Sequence, residues 1–208
     1  MALINQRARE IHFKLVYYGP SLGGKTTNLR YLHERIPADR CGRLVSIATD
    51  HDRTLFFDFL PVELGQIQGL TTRFHLYTVP GQPYYKLSRR SVLQGVDGLV
   101  FVADSNPSRF AANVESLADL KRNLGELGLS FDRLPLVLQY NKRDLVWALP
   151  LERLQEALNP LRLPYFEAVG TTGQGVVDTL RSACKSVLSR IDPPRTEAAR
   201  VAQGAASA

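Results

Sequence analysis

One glycine-rich stretch of the chain reads Gly19-Pro20-Ser21-Leu22-Gly23-Gly24-Lys25-Thr26 and has the pattern G-x-x-x-x-G-K-[ST]. It follows a run of β-branched and aromatic residues over 11–18, and it precedes a stretch over 27–35 whose apolar residues lie three and four positions apart. Glycines let the backbone turn so that consecutive N–H groups point at anionic oxygens, and the N-terminus of the helix adds a partial positive charge. The pattern therefore predicts a phosphate-binding loop, with Lys25 at the β- and γ-phosphates and the Thr26 hydroxyl at Mg²⁺.

This loop by itself does not select a base, because ATPases, kinases and GTPases share it. A glycine turn with an exposed lysine is the structural alternative. The candidate nucleotide contacts in and after the loop are Gly19, Leu22, Gly23, Gly24, Lys25, Thr26 and Thr27.

Strand-like runs alternate with helix-period stretches along the chain, which predicts an α/β fold. We expect a mostly parallel central sheet of six strands, or slightly more, with helices on both faces. The predicted strands cover 11–18, 54–60, 72–79, 98–103, 136–140 and 165–169, and the predicted helices cover 27–35, a long stretch after Pro107, 151–158 and 176–191. The turn over 65–69 is too short for a parallel crossover, so the second and third strands are expected to form an antiparallel hairpin.

The composition favours one ordinary globular domain. The 208 residues are 44% hydrophobic and 22% charged, which argues against a disordered, collagenous or disulfide-rich class. Large apolar residues are lost after 191, so we expect a domain over 1–191 and a disordered tail over 192–208. Cys41 and Cys184 are too few for a disulfide framework or a thiolate zinc site, which fits a reducing cytosol.

The formal charge of +6 is spread along the chain, so no nucleic-acid partner is expected. The sequence contains no recognisable signal peptide, membrane-spanning run or lipidation signal. We therefore expect a cytoplasmic protein without a lipid anchor.

The tetrapeptide Asn141-Lys142-Arg143-Asp144 follows a predicted strand directly, at the carboxyl edge where open α/β sheets bind ligands. A carboxylate at Asp144 accepts the ring N–H and the exocyclic amine of guanine in two charge-assisted bonds. Adenine offers a lone pair at that ring position and would leave the carboxylate unpaired. Guanine is the expected base, with Asn141 bracing the phosphate loop and the base and the Lys142 stem across the ring. The loop after the last strand, with Val169 and Gly170, is expected to add backbone N–H contacts to the base.

Three motifs resemble those of the Ras-like small GTPases over residues 11–191: GPSLGGKT at 19–26, PGQ at 80–82 and NKRD at 141–144. Within that superfamily the chain is most similar to the bacterial MglA-type GTPases, through VYYGP before the loop, DRTLFFDFLP at 52–61 and TVPGQ at 78–82. The resemblance implies a molecular switch with GTP/GDP and Mg²⁺ as cofactors, and slow hydrolysis unless a partner stimulates it. It also implies a role in cell polarity and surface motility, with recruitment to the cell poles. A roadblock-fold activating protein of the MglB type and downstream effectors are the implied partners.

The resemblance also implies which residues hold the metal ion and the γ-phosphate for GTP hydrolysis. Most Ras-like proteins have an aspartate that holds the metal through water where this chain has Thr78, and Asp52 or Asp58 is the candidate substitute. Gly81 is expected to present its N–H to the γ-phosphate, and Thr54 to join the metal when that phosphate is bound.

Two residues are the candidate catalytic groups. Gln82 is expected to orient the attacking water, and Arg53 to neutralise charge at the γ-phosphate from within the same chain. Switch loops over 40–55 and 79–92 are expected to differ between the GTP and GDP states. Because Thr78 replaces the usual acid, a guanine-nucleotide-dependent binding module that never hydrolyses is the alternative function.

The switch loops also carry aromatic residues that are candidates for a partner-binding patch, although a core position is favoured for the phenylalanines. These residues are Phe56, Phe57, Phe59, Tyr84 and Tyr85.

Overall fold

The fold is built on one sheet, which has eight strands in the part of the chain that the structure describes. The strands are β1 Leu3–Asn5, β2 Glu10–Tyr18, β3 Val45–Ile47, β4 Phe57–Ile67, β5 Leu70–Thr78, β6 Gly98–Asp104, β7 Leu136–Asn141 and β8 Tyr165–Glu167. Their order in the sheet is β3-β4-β5-β2-β6-β7-β8, and β1 pairs with the N-terminal part of β2. The fold is seen in a computed structural model that describes residues 2–47, 57–81 and 85–190. Strands β2, β5, β6, β7 and β8 run parallel to their neighbours in this group, whereas β1·β2, β3·β4 and β4·β5 are antiparallel. The predicted α/β class with a mostly parallel sheet is confirmed.

The helices are α1 Lys25–Arg35, α2 Lys86–Leu93, α3 Phe110–Glu126, α4 Leu151–Leu158 and α5 Val176–Leu188. Short 3₁₀ turns cover Pro107–Arg109 and Phe131–Arg133. Sequence periodicity missed β1, β3 and α2, which are short or carry polar residues on most of their positions.

The predicted antiparallel hairpin is formed by β4 and β5, but its turn is tighter than expected. Gln68 and Gly69 both have positive φ, of 51° and 76°, and they connect the paired residues Ile67 and Leu70. Positive φ at both central residues is the geometry of a two-residue hairpin turn. Strand β4 therefore continues through Gly65 and reaches seven residues beyond its predicted end at 60, with a bulge between Glu63 and Gln66.

Two apolar layers enclose the sheet. Helices α1 and α5 cover one face, where Leu29, Leu32, Leu180 and Val187 pack on β2, β5 and β6. On the other face, side chains of α2, α3 and α4 pack on β6 and β7. The central strands β6 and β7 are buried on both faces, which explains their continuous apolar sequence.

The parallel strands β2, β6 and β7 all end at the same edge of the sheet, and the loops that follow them meet there. This edge brings the two predicted ligand-binding loops together. Within the residues described, no helix is long and apolar enough to cross a bilayer. The tail predicted over 192–208 lies outside the described residues.

Candidate nucleotide-binding site

The phosphate loop joins β2 to α1 and is held by close backbone packing. Gly19 has φ +143°, and a Cβ atom there would lie 2.2 Å from the Val102 carbonyl oxygen of β6. Gly24 caps α1 with φ 100°, and a Cβ atom there would lie 2.1 Å from the Asn141 amide nitrogen. Leu22 also adopts a positive φ of 62°, with an exposed side chain. Glycine is required at 19 and 24 because of this close approach as well as the turn.

Lys25 is buried at the first position of α1, and its ammonium group faces its own loop. Its Nζ donates to the carbonyl oxygens of Gly19 at 2.9 Å and Pro20 at 2.7 Å. Burial lowers the pKa of Lys25 to about 7, and the neighbouring Asp58 carboxylate acts in the opposite direction. Two carbonyl oxygens accept hydrogen bonds from this buried ammonium group, which is well placed to bind an anionic ligand.

Next to Lys25, the Asp58 carboxylate gathers three hydroxyl groups. Thr26 Oγ1 donates to Oδ2 at 2.6 Å, Thr78 Oγ1 donates to Oδ2 at 2.8 Å, and Ser46 Oγ donates to Oδ1 at 2.6 Å. Asp58 and Thr78 are both buried. Asp58 on β4 thus brings a negative charge to Thr78 on β5, at the position where the expected acid is missing. Asp52, the other candidate, lies outside the described residues.

These groups line a cavity of about 760 Å³ that also contains Thr27, Arg30 and the segment Thr78–Gly81. Gly81 lies directly on the phosphate loop, because a Cβ atom there would lie 2.3 Å from the Ser21 backbone nitrogen. A side chain at 81 would force the two loops apart. The predicted contacts Leu22, Gly24, Lys25, Thr26, Thr27 and Gly81 therefore line one space.

Asn141, at the end of β7, connects the phosphate loop to the loop after β8. Its Nδ2 donates to the Gly23 carbonyl oxygen at 2.8 Å, and its Oδ1 accepts from the Gly170 backbone N–H at 2.8 Å. The side chain is 2% exposed. One amide thereby fixes the position of both predicted ligand-binding loops.

Lys142 follows with a positive φ of 64°, and its Nζ lies 2.6 Å from Oδ2 of Asp104. Asp104 is fully buried at the end of β6 and also receives the Asn106 N–H, while its backbone is held by Asn113. The aspartate holds the lysine stem against the edge of the sheet. Sequence reasoning missed Asp104, although an acid that ends a buried strand beside an Asn-Lys-x-Asp segment is a usable signal.

Asp144 lies at the outer end of this segment, with an exposed side chain that makes no hydrogen bond or ion pair within 2–47, 57–81 and 85–190. Its carboxylate is available to a ligand. The two predicted backbone donors nearby are both used inside the protein: the Val169 N–H donates to the Gln174 carbonyl oxygen at 3.0 Å, and the Gly170 N–H donates to Asn141 Oδ1 at 2.8 Å.

Several predicted residues lie outside the described part of the chain, namely Arg53, Thr54, Phe56, Gln82 and Tyr84. Among the described aromatic residues, Phe57 and Phe59 are half-buried and contact Tyr77. Ser46 and Arg109 were missed by sequence reasoning. Arg109 donates to the Ser21 carbonyl oxygen of the phosphate loop at 2.8 Å, and both contacts depend on tertiary structure that no local pattern encodes.

The phosphate loop and the Asn-Lys-x-Asp loop share the carboxyl edge of a parallel sheet and are joined by one asparagine. This arrangement defines a Ras-like P-loop GTPase.

Comparison with known proteins identifies the family within that class. The chain is 53% identical over 191 residues to mutual gliding-motility protein MglA of Myxococcus xanthus, covering 92% of this chain and 98% of the relative. It is 30% identical over 179 residues to elongation factor 4 of Thermus thermophilus, covering 76% of this chain and 27% of that protein. It is 24% identical over 187 residues to Ras-related protein Rab-5B of Plasmodium falciparum, covering 89% and 82%. No protein-family model matches the chain.

The chain belongs to the MglA family of Ras-like small GTPases. It is therefore a GTPase that binds guanine nucleotides. The recognition of this family from three short motifs is confirmed.

Proposed function

We propose that this protein is a GTP/GDP switch that regulates cell polarity and gliding motility in the cytoplasm and at the cell poles. The relative that shares 53% of its residues is named for gliding motility, and the match covers 98% of that relative. A roadblock-fold activating protein of the MglB type is the proposed partner, together with downstream effectors that bind the GTP state.

One observation supports the nucleotide binding on which this proposal depends: Asn141 is bonded to the phosphate loop through Gly23 and to the loop after β8 through Gly170. A guanine nucleotide has a polyphosphate at one end and a base at the other. The exposed Asp144 carboxylate matches the hydrogen-bond donors of the guanine base, and the buried Lys25 ammonium matches the negative charge of the phosphates. Two loops held together in this way can contact the phosphate end and the base end of one nucleotide.

The donor set beside Lys25 fits Mg²⁺, which prefers hydroxyl, carboxylate and phosphate oxygens. Thr26 donates its hydroxyl proton to Asp58, so its oxygen lone pairs are directed away from the carboxylate and are free to bind a cation. When bound, Mg²⁺ neutralises charge on the nucleotide phosphates. We assign Thr26 and Thr54 as the protein ligands and Asp58 as the acid that orients Thr26 in place of the missing aspartate at 78.

Hydrolysis in this proposal uses Gln82 to orient water and Arg53 to offset charge at the γ-phosphate. Phosphoryl transfer requires mainly alignment and electrostatic stabilisation. Both residues belong to the proposed switch loops, so turnover is slow until a partner aligns them.

The test is phosphate release from GTP, measured with and without an MglB-type roadblock protein. Slow intrinsic turnover and a stimulated rate are expected. No turnover in either condition would leave only the alternative, a nucleotide-dependent binding module. Competition of ATP and GTP for the same site tests the base, and equal affinities would remove the assignment of Asp144.

A further inference from the structure

A row of buried polar side chains lies beneath the site, on the face of the sheet covered by α1 and α5. Gln139 of β7 donates from Nε2 to Asn28 Oδ1 at 2.9 Å and to Thr179 Oγ1 at 3.1 Å. All three side chains are 0% exposed. Asn28 belongs to α1 and Thr179 to α5, so the Gln139 amide on β7 connects two helices that pack on the same face of the sheet.

Each end of this row reaches a ligand-binding loop. Asn28 Nδ2 donates to the Gly24 carbonyl oxygen at 2.9 Å, at the end of the phosphate loop. Thr179 Oγ1 donates to the Gly175 carbonyl oxygen at 2.6 Å, at the end of the loop that follows β8. The row therefore runs continuously from one loop to the other through Gln139, in addition to the direct contact made by Asn141.

Packing of the core does not by itself explain why this row is polar. Gln139 Oε1 is buried and has no hydrogen-bond partner in the described residues. An unsatisfied buried acceptor destabilises the folded state, and the neighbour of Gln139 on the same face, Val137, is apolar and buried in the core. The glutamine therefore satisfies Asn28 Oδ1 with its Nε2 while its own Oε1 stays without a partner, so complete pairing of the core does not account for the choice of this residue.

We propose that Gln139 is a positioning residue that couples the phosphate loop to the base loop through Asn28 and Thr179, and thereby sets how slowly guanine nucleotide dissociates. This inference rests on the proposed nucleotide-binding function. A ligand that touches both loops gains affinity when their separation is fixed in advance, because less conformational freedom is lost on binding. A ligand that touches one loop gains nothing from that coupling.

The test compares the wild-type protein with Gln139→Met, which keeps the side-chain length and removes both donated bonds. Dissociation of a fluorescent GDP is expected to accelerate about fivefold or more. Pyrophosphate occupies only the phosphate end and guanosine only the base end, so competition with the fluorescent GDP should give affinities for each that change less than about twofold. A merely structural defect would weaken all three ligands by a similar factor.

The matched control is Tyr17→Phe, which removes another buried side-chain oxygen of the same apolar layer, one that has no hydrogen-bond partner among the described residues and so does not link the two loops. Its GDP dissociation rate is expected to equal that of the wild type. Thr179→Val and Thr179→Ser form a second pair, because valine removes the link and serine keeps a hydroxyl. Fast dissociation in the valine variant and recovery in the serine variant are expected, and this pair decides the question if Gln139→Met does not fold.

Unchanged GDP dissociation in the folded Gln139→Met and Thr179→Val variants would overturn the coupling, and so would an equal loss for GDP, guanosine and pyrophosphate. Failure of the wild-type protein to retain GDP would instead refute the proposed function. The two failures are separated by the wild-type measurement.

Discussion

Asp58 and Thr78 are joined twice across β4 and β5: the Asp58 backbone N–H donates to Thr78 Oγ1 at 2.8 Å, and that hydroxyl donates to Asp58 Oδ2 at 2.8 Å. The threonine thus holds the carboxylate against Thr26. In place of the acid expected at 78 on β5, the neighbouring strand β4 supplies Asp58. The Thr78 hydroxyl holds the Asp58 carboxylate in position.

Asp58→Asn should raise the Mg²⁺ concentration needed for half-maximal GDP retention by about tenfold, because the charge that orients Thr26 is lost. GDP dissociation measured over a Mg²⁺ titration checks this. Ser46→Ala removes a bond to the other carboxylate oxygen but keeps the charge, so it should change the requirement much less. An unaltered Mg²⁺ requirement in Asp58→Asn would contradict the assignment.

Lys25 should take up a proton when nucleotide binds. Burial lowers the pKa of Lys25 to about 7, and bound phosphate charge raises it again. At about pH 8.5 the free protein holds Lys25 mainly neutral, so GDP binding should absorb close to one proton, and at about pH 6 almost none from this group. Calorimetry in two buffers of different ionisation enthalpy measures this uptake, and a binding heat independent of buffer at the higher pH would disprove it.

The lowered pKa of Lys25 also makes the free energy of unfolding of the nucleotide-free protein depend on pH. Between about pH 7 and the ordinary lysine value of 10.5 the unfolded chain binds more protons at Lys25 than the folded chain. Lys25 therefore makes the free energy of unfolding rise with pH through this window. Comparison with Lys25→Met in urea titrations isolates the contribution, and the opposite slope would refute it.

Arg53→Ala and Gln82→Leu should each lower partner-stimulated GTP hydrolysis by about tenfold or more, while GDP affinity stays nearly unchanged. The reason is that both act on the reacting phosphate rather than on the diphosphate. Arg43→Ala removes an exposed arginine nearby in sequence and serves as the charge control. Wild-type rates in either variant would remove that residue from the mechanism.

Asp144→Asn should weaken GDP by about a hundredfold or more, because the amide presents a donor to the guanine amine. The same donor suits the second carbonyl of xanthine, so xanthosine diphosphate should bind the variant better than it binds the wild type. Asp132→Asn removes an exposed acid distant in sequence and should change neither affinity. Equal losses for both nucleotides would oppose a direct contact with the base.

The sequence predicted the elements that depend on local pattern. The strand before Gly19, the hairpin of β4 and β5 and the helix after Lys25 follow from periodicity and glycine positions. The choice of Asp58 over Asp52 was left open because it depends on strand pairing, in which Phe59 lies opposite Tyr77 and brings the preceding aspartate to Thr78. Register between strands is a tertiary property that short motifs do not encode.

The buried polar contacts were missed for a related reason. Gln139 lies in an apolar run that predicts a strand, and nothing in that run indicates that its amide faces Asn28 and Thr179 from two distant helices. Arg109 likewise reaches the phosphate loop from the 3₁₀ turn that follows β6. Such contacts can be predicted only when it is known which faces of the strands and helices lie against each other.

The fully enclosed Asp104 carboxylate is neutralised by the Lys142 ammonium at 2.6 Å, and this complicates the interpretation of variants at 142. Removing the lysine alone would leave the buried Asp104 carboxylate without its ion-pair partner, which destabilises the folded protein. Lost nucleotide retention in such a variant would then report on folding as much as on recognition. Replacing both partners with apolar residues separates the two effects.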